Sequence, residues 1–222
     1  MEEKNFEGLL HLVSYPDGFR EDQKYPLVIF LHGAGARAAT TEKLRNHTGF
    51  TLVNQHQNER GYILLAPLCN GITWNEWMTP LLRLIDAFRN LPYIDASRVY
   101  ITGLSMGGYG TWALATLRPD WFAAAMPLCG GGGPGFARYL VDLPIRAFHG
   151  LRDKTVDPIE SLEMVKAINS AGGYAELILF PDLAHHCWER VYSDERTYDW
   201  LLSFTTNRDK TSVEKFSGEY YG

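Results

Sequence analysis

Cysteine is scarce in this chain. Three residues in 222, Cys69, Cys129 and Cys187, are too few and too scattered for a disulfide framework or a zinc site. They read as reduced, partly buried thiols. Positive charge is also limited: 21 Lys and Arg stand against 26 Asp and Glu, giving a net charge of −5. No basic cluster occurs, which excludes nucleic acid as a natural partner. No apolar run approaches the length of a membrane span. The first residues, Met1 to Asn5, are polar and acidic with no apolar stretch behind them. The expectation is a cytoplasmic protein, or one whose signal has been removed. There is no repeat and no Pro- or Ser-rich linker. A single domain is therefore expected over 1–204, long enough for a sizeable core. The segment 205–222 is polar, lacks periodicity and reads as a loosely held tail.

What is present is an alternation of short apolar runs and helical patterns. Tyr25–Leu31 and Tyr62–Ala66 are continuous apolar runs, as strands buried on both faces should be. Arg98–Thr102, Ala123–Leu128, Ile145–His149 and Ala175–Phe180 extend the series, and Leu10–Ser14 reads as an antiparallel edge strand. Helical spacing marks Pro80–Asn90 through Leu81, Leu84, Ile85 and Phe88. It marks Pro158–Ser170 through Ile159, Leu162, Val165 and Ile168. Asp157 is the expected N-cap of that second helix, with Pro158 at its first position and Glu160 at capping-box spacing. One last helix is expected over Trp188–Phe204. The pattern predicts an α/β fold: a mostly parallel central sheet with helices on both faces.

Four segments carry chemistry. The most informative is Gly103-Leu104-Ser105-Met106-Gly107, a G-x-S-x-G run. The strand pattern of Arg98–Thr102 precedes it, and a helical stretch from Gly108 to Leu117 follows. Strand, sharp glycine-flanked turn and helix form the setting that exposes a nucleophilic serine at the carboxyl end of a sheet. The second segment is His32-Gly33-Ala34-Gly35, directly after the strand ending at Leu31. Small residues there let a backbone N–H close on a substrate oxygen. Ala34 N–H and Met106 N–H are the expected oxyanion donors. His32 reads as a brace for that loop. The third segment, His149 to Asp157, offers two carboxylates. Asp157 is occupied as a cap, which leaves Asp153 to orient a histidine. The stretch from Cys129 to Phe136 holds no acid that could replace it. The fourth, Asp182 to Trp188, carries adjacent His185 and His186 beyond the last strand, and chemistry alone does not choose between them. His149 is set aside as too close to its own strand.

Together these segments resemble an α/β-hydrolase. Within that superfamily they are similar to the small phospholipase/carboxylesterase and dienelactone-hydrolase-like serine esterases. The matching pieces are HGAG at His32, GLSMGG at Gly103, HGLRDKTV at His149 and HHCW at His185. They span most of residues 25–204. In such relatives a catalytic His often stands three residues before Trp, a pattern that lands on His185 before Trp188. The HG-x-x-D-x-x-V pattern lands on Asp153. The resemblance implies a Ser105–His185–Asp153 triad, acyl transfer without metal or organic cofactor, and a small-molecule ester substrate. A peptidase of the prolyl oligopeptidase kind and a thioesterase are the alternatives, with a non-catalytic binding module further off.

The interval between the strands at Leu128 and Ile145 is too short for a helical cap domain, so an open site is expected. Gly33, Gly35, Trp74, Trp77 and Trp188 are the candidate substrate contacts. Oligomeric state leaves no mark in the sequence.

Overall fold

The strand Tyr25–Leu31 shows why the sheet forms. Leu27, Ile29 and Leu31 enter one apolar cluster, while Val28 and Phe30 enter another on the opposite side. Side chains of a strand alternate in direction, so an unbroken apolar run demands cover on both faces. The computed structural model describes residues 1–207. Its strands are β1 (Glu2–Phe6), β2 (Leu9–Ser14), β3 (Tyr25–Leu31), β4 (Ile63–Pro67), β5 (Ile94–Leu104), β6 (Ala124–Leu128), β7 (Ile145–Gly150) and β8 (Ala175–Phe180). They form one eight-stranded sheet in the order β1-β2-β4-β3-β5-β6-β7-β8. β1 and β2 run antiparallel to their neighbours, and the pairs from β4 to β8 are all parallel.

The helices are α1 (Glu42–Arg45), α2 (Thr48–Arg60), α3 (Met78–Arg89), α4 (Met106–Leu117), α5 (Ile159–Ser170), α6 (Trp188–Ser193) and α7 (Glu195–Leu202). α3, α4 and α5 bury Leu84, Trp112 and Met164 in one cluster. α2, α6 and α7 bury Phe50, Tyr192 and Leu201 in the other. Between β6 and β7 the chain makes only the 3-10 turn Pro134–Leu140, so no separate cap domain covers the carboxyl ends of the strands. Among the described residues, no helix is long and apolar enough to cross a membrane.

Several boundaries differ from the sequence expectations. β2 is not the edge strand, because β1 pairs along its outer side. β1 is short and exposed, and its charged residues gave no apolar signal. β5 starts at Ile94, four residues early, since pairing with β3 extends it through polar positions. The expected helix over Trp188–Phe204 is two helices. Asp194 breaks the first, adopts extended backbone and caps the second by accepting from Arg196 N–H. α5 starts at Ile159 with Pro158 as its N-cap, one residue later than expected, and Asp157 Oδ1 accepts from Ile159 N–H at 3.0 Å from just outside it. All three cysteines are wholly buried and free. The expected tail lies mostly outside the described residues. Its first part is tied down, with Thr206 N–H donating to Ser97 O at 2.9 Å.

Candidate active site

Ser105 occupies a backbone conformation that side chains rarely adopt, φ 56° and ψ −118°. The chain leaves β5 at Leu104 and must enter α4 at Met106 with no room to spare. A Cβ on Gly107 would drive into the carbonyl of Leu31, and one on Gly103 would collide with the backbone of Gly107. Glycine on both sides of Ser105 is therefore a steric requirement of the turn. Ser105 N–H donates to Leu128 O at 2.9 Å, fixing the turn to β6. The hydroxyl projects from the carboxyl edge of the sheet.

His185 reaches this point because two loops are fastened together. Leu151 N–H donates to Phe180 O and Arg152 N–H to Leu183 O, both at 2.9 Å. Gly150 lies so close beneath Ala184 O that a side chain there would clash with it. The loop after β8 is thereby laid over the loop after β7. His185 Nε2 stands 2.9 Å from Ser105 Oγ, and His185 Nδ1 stands 2.6 Å from Asp153 Oδ2. The structure thus brings together Ser105, His185 and Asp153. His186 points elsewhere: it is exposed, with its ring 4.5 Å from that of Trp188.

The Asp153 side chain is fully enclosed. Burial pushes its pKa up. Hydrogen bonds from His185 and from the Val156 and Thr155 amides outweigh this and hold the carboxyl below its ordinary value. Oδ1 accepts from Thr155 N–H at 2.8 Å and Val156 N–H at 3.0 Å. Oδ2 accepts from His185 and also meets His149 Nε2 at 3.2 Å. His149, set aside on sequence grounds, is therefore a direct neighbour of this carboxylate. The signal was its four-residue spacing from Asp153, since the turn after β7 folds back on the strand's last side chain.

Ala34 opens the 3-10 turn Ala34–Ala36, and Met106 opens α4. The first N–H groups of a helix have no internal acceptor, so both amides are available to an oxyanion. Gly33 packs on the elbow itself, where an added Cβ would stand 3.4 Å from Ser105 Cβ. Gly35 faces open space. His32 braces this loop. Its Nε2 accepts from Cys69 N–H at 2.9 Å, so Nδ1 carries the proton and donates to Gly33 O at 2.8 Å. Burial pushes its pKa down to about 4, so the ring is neutral.

The three tryptophans form walls rather than open faces. Trp74 is buried and donates through Nε1 to His32 O at 3.1 Å. Trp188 is buried and meets His185 edge to face, with ring centroids 5.6 Å apart. Trp77 is half-buried against the cluster of α3.

A small cleft of about 330 Å³ lies over Met106, between Trp74 and Tyr109. Asn75 and Tyr109 also line a larger groove of about 850 Å³ that runs along the outer side of α4. Met78, Trp112, Phe136 and Tyr139 wall this groove, Gly131–Gly133 close one side, and no charged side chain lines it. Sequence reasoning singled out the segment from Gly130 to Phe136 as possible site lining but missed Tyr109 on α4 and Tyr139 in the 3-10 turn, because an outward-facing aromatic leaves no core pattern. No cluster of His, Cys, Asp and Glu among the described residues could hold a metal ion.

Comparison with known proteins bears on the fold and the family. Residues 77–131 match the prolyl oligopeptidase family. The chain is 33% identical over 122 residues to poly(3-hydroxyalkanoate) depolymerase C of Paucimonas lemoignei, covering 48% of this chain and 28% of that protein. It is 23% identical over 229 residues to dipeptidyl-peptidase 5 of Porphyromonas gingivalis, covering 80% of this chain and 33% of that protein. A solved structure of a thermostable esterase superposes with a TM-score of 0.76 at 31% identity, over 89% of this chain and 59% of that one. The chain thus spans about a third of the length of these curated relatives. The fold is that of an α/β-hydrolase, and the likenesses run to esterases and to prolyl oligopeptidase-type peptidases.

Proposed function

We propose that this chain hydrolyses carboxylic esters through a covalent acyl-enzyme formed on Ser105. His185 Nε2 takes the Ser105 proton as Oγ attacks the ester carbonyl. The oxyanion is held by Ala34 and Met106 N–H, each such donor contributing about 3–4 kcal/mol to the transition state. The imidazolium passes its proton to the departing alcohol. Water, deprotonated by the same nitrogen, then releases the acid and restores Ser105. Asp153 keeps the Nδ1–H tautomer of His185 and stabilises its charged form. Every proton is carried by His185, so the cycle draws on the chain's own groups. The observation that carries this reading is the pair of contacts at 2.9 Å and 2.6 Å across His185.

The substrate's uncharged, apolar part would lie in the groove along α4. Its lining offers aromatic faces and no ion-pair partner. A second reading, amide hydrolysis of peptides, is favoured by the match of residues 77–131 to the prolyl oligopeptidase family. Thioesters need the same machinery and fall under the same test. A binding module on this scaffold would have no use for the proton path across His185.

The test uses p-nitrophenyl esters of rising acyl length beside a set of peptide anilides and an acyl thioester. Ester turnover that Ser105→Ala abolishes, with the fold kept by circular dichroism, supports the reading. Anilide turnover without ester turnover replaces it with the peptidase. Equal slow turnover by both proteins leaves the binding module.

A further inference from the structure

His149 is entirely buried, and each of its ring nitrogens faces a polar group. Nδ1 stands 2.8 Å from Ser161 Oγ on α5. Nε2 stands 3.2 Å from Asp153 Oδ2 and 3.1 Å from Val156 O. Ser161 Oγ, also buried, lies 2.7 Å from Gly130 O.

Counting protons fixes the tautomer. Asp153 Oδ2 and Val156 O only accept, so Nε2 carries a hydrogen. Burial holds the His149 pKa below its ordinary value, with the Val156 carbonyl and Asp153 pulling the other way. The neutral ring then leaves Nδ1 without a hydrogen, facing the Ser161 hydroxyl, whose single proton donates to Gly130 O. Gly130 belongs to the glycine run beside the groove. The chain of contacts therefore joins the groove wall to the acid of the site.

The same count shows what His149 does for Asp153. Two amides occupy Oδ1. On Oδ2, His185 takes one position and His149 the other. Without His149, Oδ2 has one donor, and the carboxylate's orientation toward His185 rests on the two Oδ1 amides and His185 itself. Resting on the esterase reading above, we propose that His149 is a positioning residue for the reaction, holding Asp153 Oδ2 in line with His185 through Nε2–H and backed by Ser161.

Other groups near this pair bear on the pH behaviour. His185 and the Cys129 thiol on β6's exit interact with Asp153. Cys187 from the last loop touches Cys129. Glu160 from α5 lies against Gly131 and interacts with Tyr109 of α4. His186 and His47 both stand against the Trp188 ring, and the His186 ring lies 6.1 Å from that of His185. Of these groups, His185 alone bonds Oδ2 alongside His149.

Two variants of near-equal size test the proposal. Gln in place of His149 keeps an amide N–H at the Nε2 position. Asn keeps one only at the Nδ1 position. Both would be titrated with an organophosphonate so that kcat refers to labelled sites, and both followed by thermal unfolding. The expected result is near-normal kcat for His149→Gln. For His149→Asn, kcat should fall by about tenfold or more with KM unchanged. The acid limb of kcat/KM in His149→Asn should also move to higher pH, because Asp153 stripped of one donor binds the His185 proton more strongly. Equal kcat in the two variants, with losses that track melting temperature alone and an unmoved limb, would overturn the proposal. If His149→Asn does not fold, Ser161→Ala replaces it. That variant should lower kcat severalfold with KM unchanged and shift the limb to higher pH, and an unchanged profile counts against the proposal. Failure of the wild type to turn over esters, thioesters or amides would instead refute the serine hydrolase reading on which it rests.

Discussion

His185 Nε2 and Ser105 Oγ, 80 residues apart in the chain, stand 2.9 Å apart in the fold. The neighbouring His186 has an exposed ring turned toward Trp188. Removing one imidazole should therefore be decisive and removing the other should not. We expect His185→Ala to lower kcat/KM by about a thousandfold or more and His186→Ala to change it by less than about threefold. Steady-state kinetics on a short-chain ester checks both.

Ser105 holds its positive φ at a cost of about 1–3 kcal/mol, set by the tight turn between Gly103 and Gly107. Glycine carries no such cost. Ser105→Gly should therefore unfold at higher urea than Ser105→Ala, by about 1 kcal/mol, while both are inactive. Equal midpoints would show that the turn is unstrained.

His32 sets an acid limit on the loop that carries Ala34. Its folded pKa lies near 4 because burial disfavours the charged ring, against an ordinary value of 6.5. Between these values the unfolded chain binds a proton that the folded chain refuses. The stability His32 allows is complete above pH 6.5 and declines as pH falls toward 4. Below pH 4 the loss is constant and reaches about 3 kcal/mol. Replacing His32 with Gln should flatten unfolding free energy across this window while lowering it at neutral pH, as urea titrations at stepped pH would record.

The groove along α4 should set chain-length preference. Ala113 lies on its wall and is half-buried. Ala113→Trp should reduce kcat/KM for a long-chain ester by about tenfold and leave an acetate ester nearly unchanged. A parallel loss on both would place the bound chain elsewhere.

Much of this site could be read in the sequence for physical reasons. Steric limits make Gly103 and Gly107 visible as residues, and buried strands make Leu27–Leu31 visible as a run. The resemblance then chose between His185 and His186, which spacing alone had left open. What stayed hidden depends on loop against loop. The contact of His149 with Asp153 needs the turn after β7 to fold back. The burial of Trp74 follows from its bond to His32 O, 42 residues away. β1 escaped notice because its charged residues are exposed and leave no apolar pattern. Asp194 was visible as a capping residue type. Only packing of both α6 and α7 on the sheet reveals that it ends one helix as it begins another.

The most direct measurement of the central claim is labelling of the folded chain with an organophosphonate ester, followed by mass spectrometry of its peptides. The account predicts one adduct per chain, on Ser105, forming far more slowly in His185→Ala and absent from Ser105→Ala. An adduct on another residue, or one that forms at the same rate without His185, would contradict it.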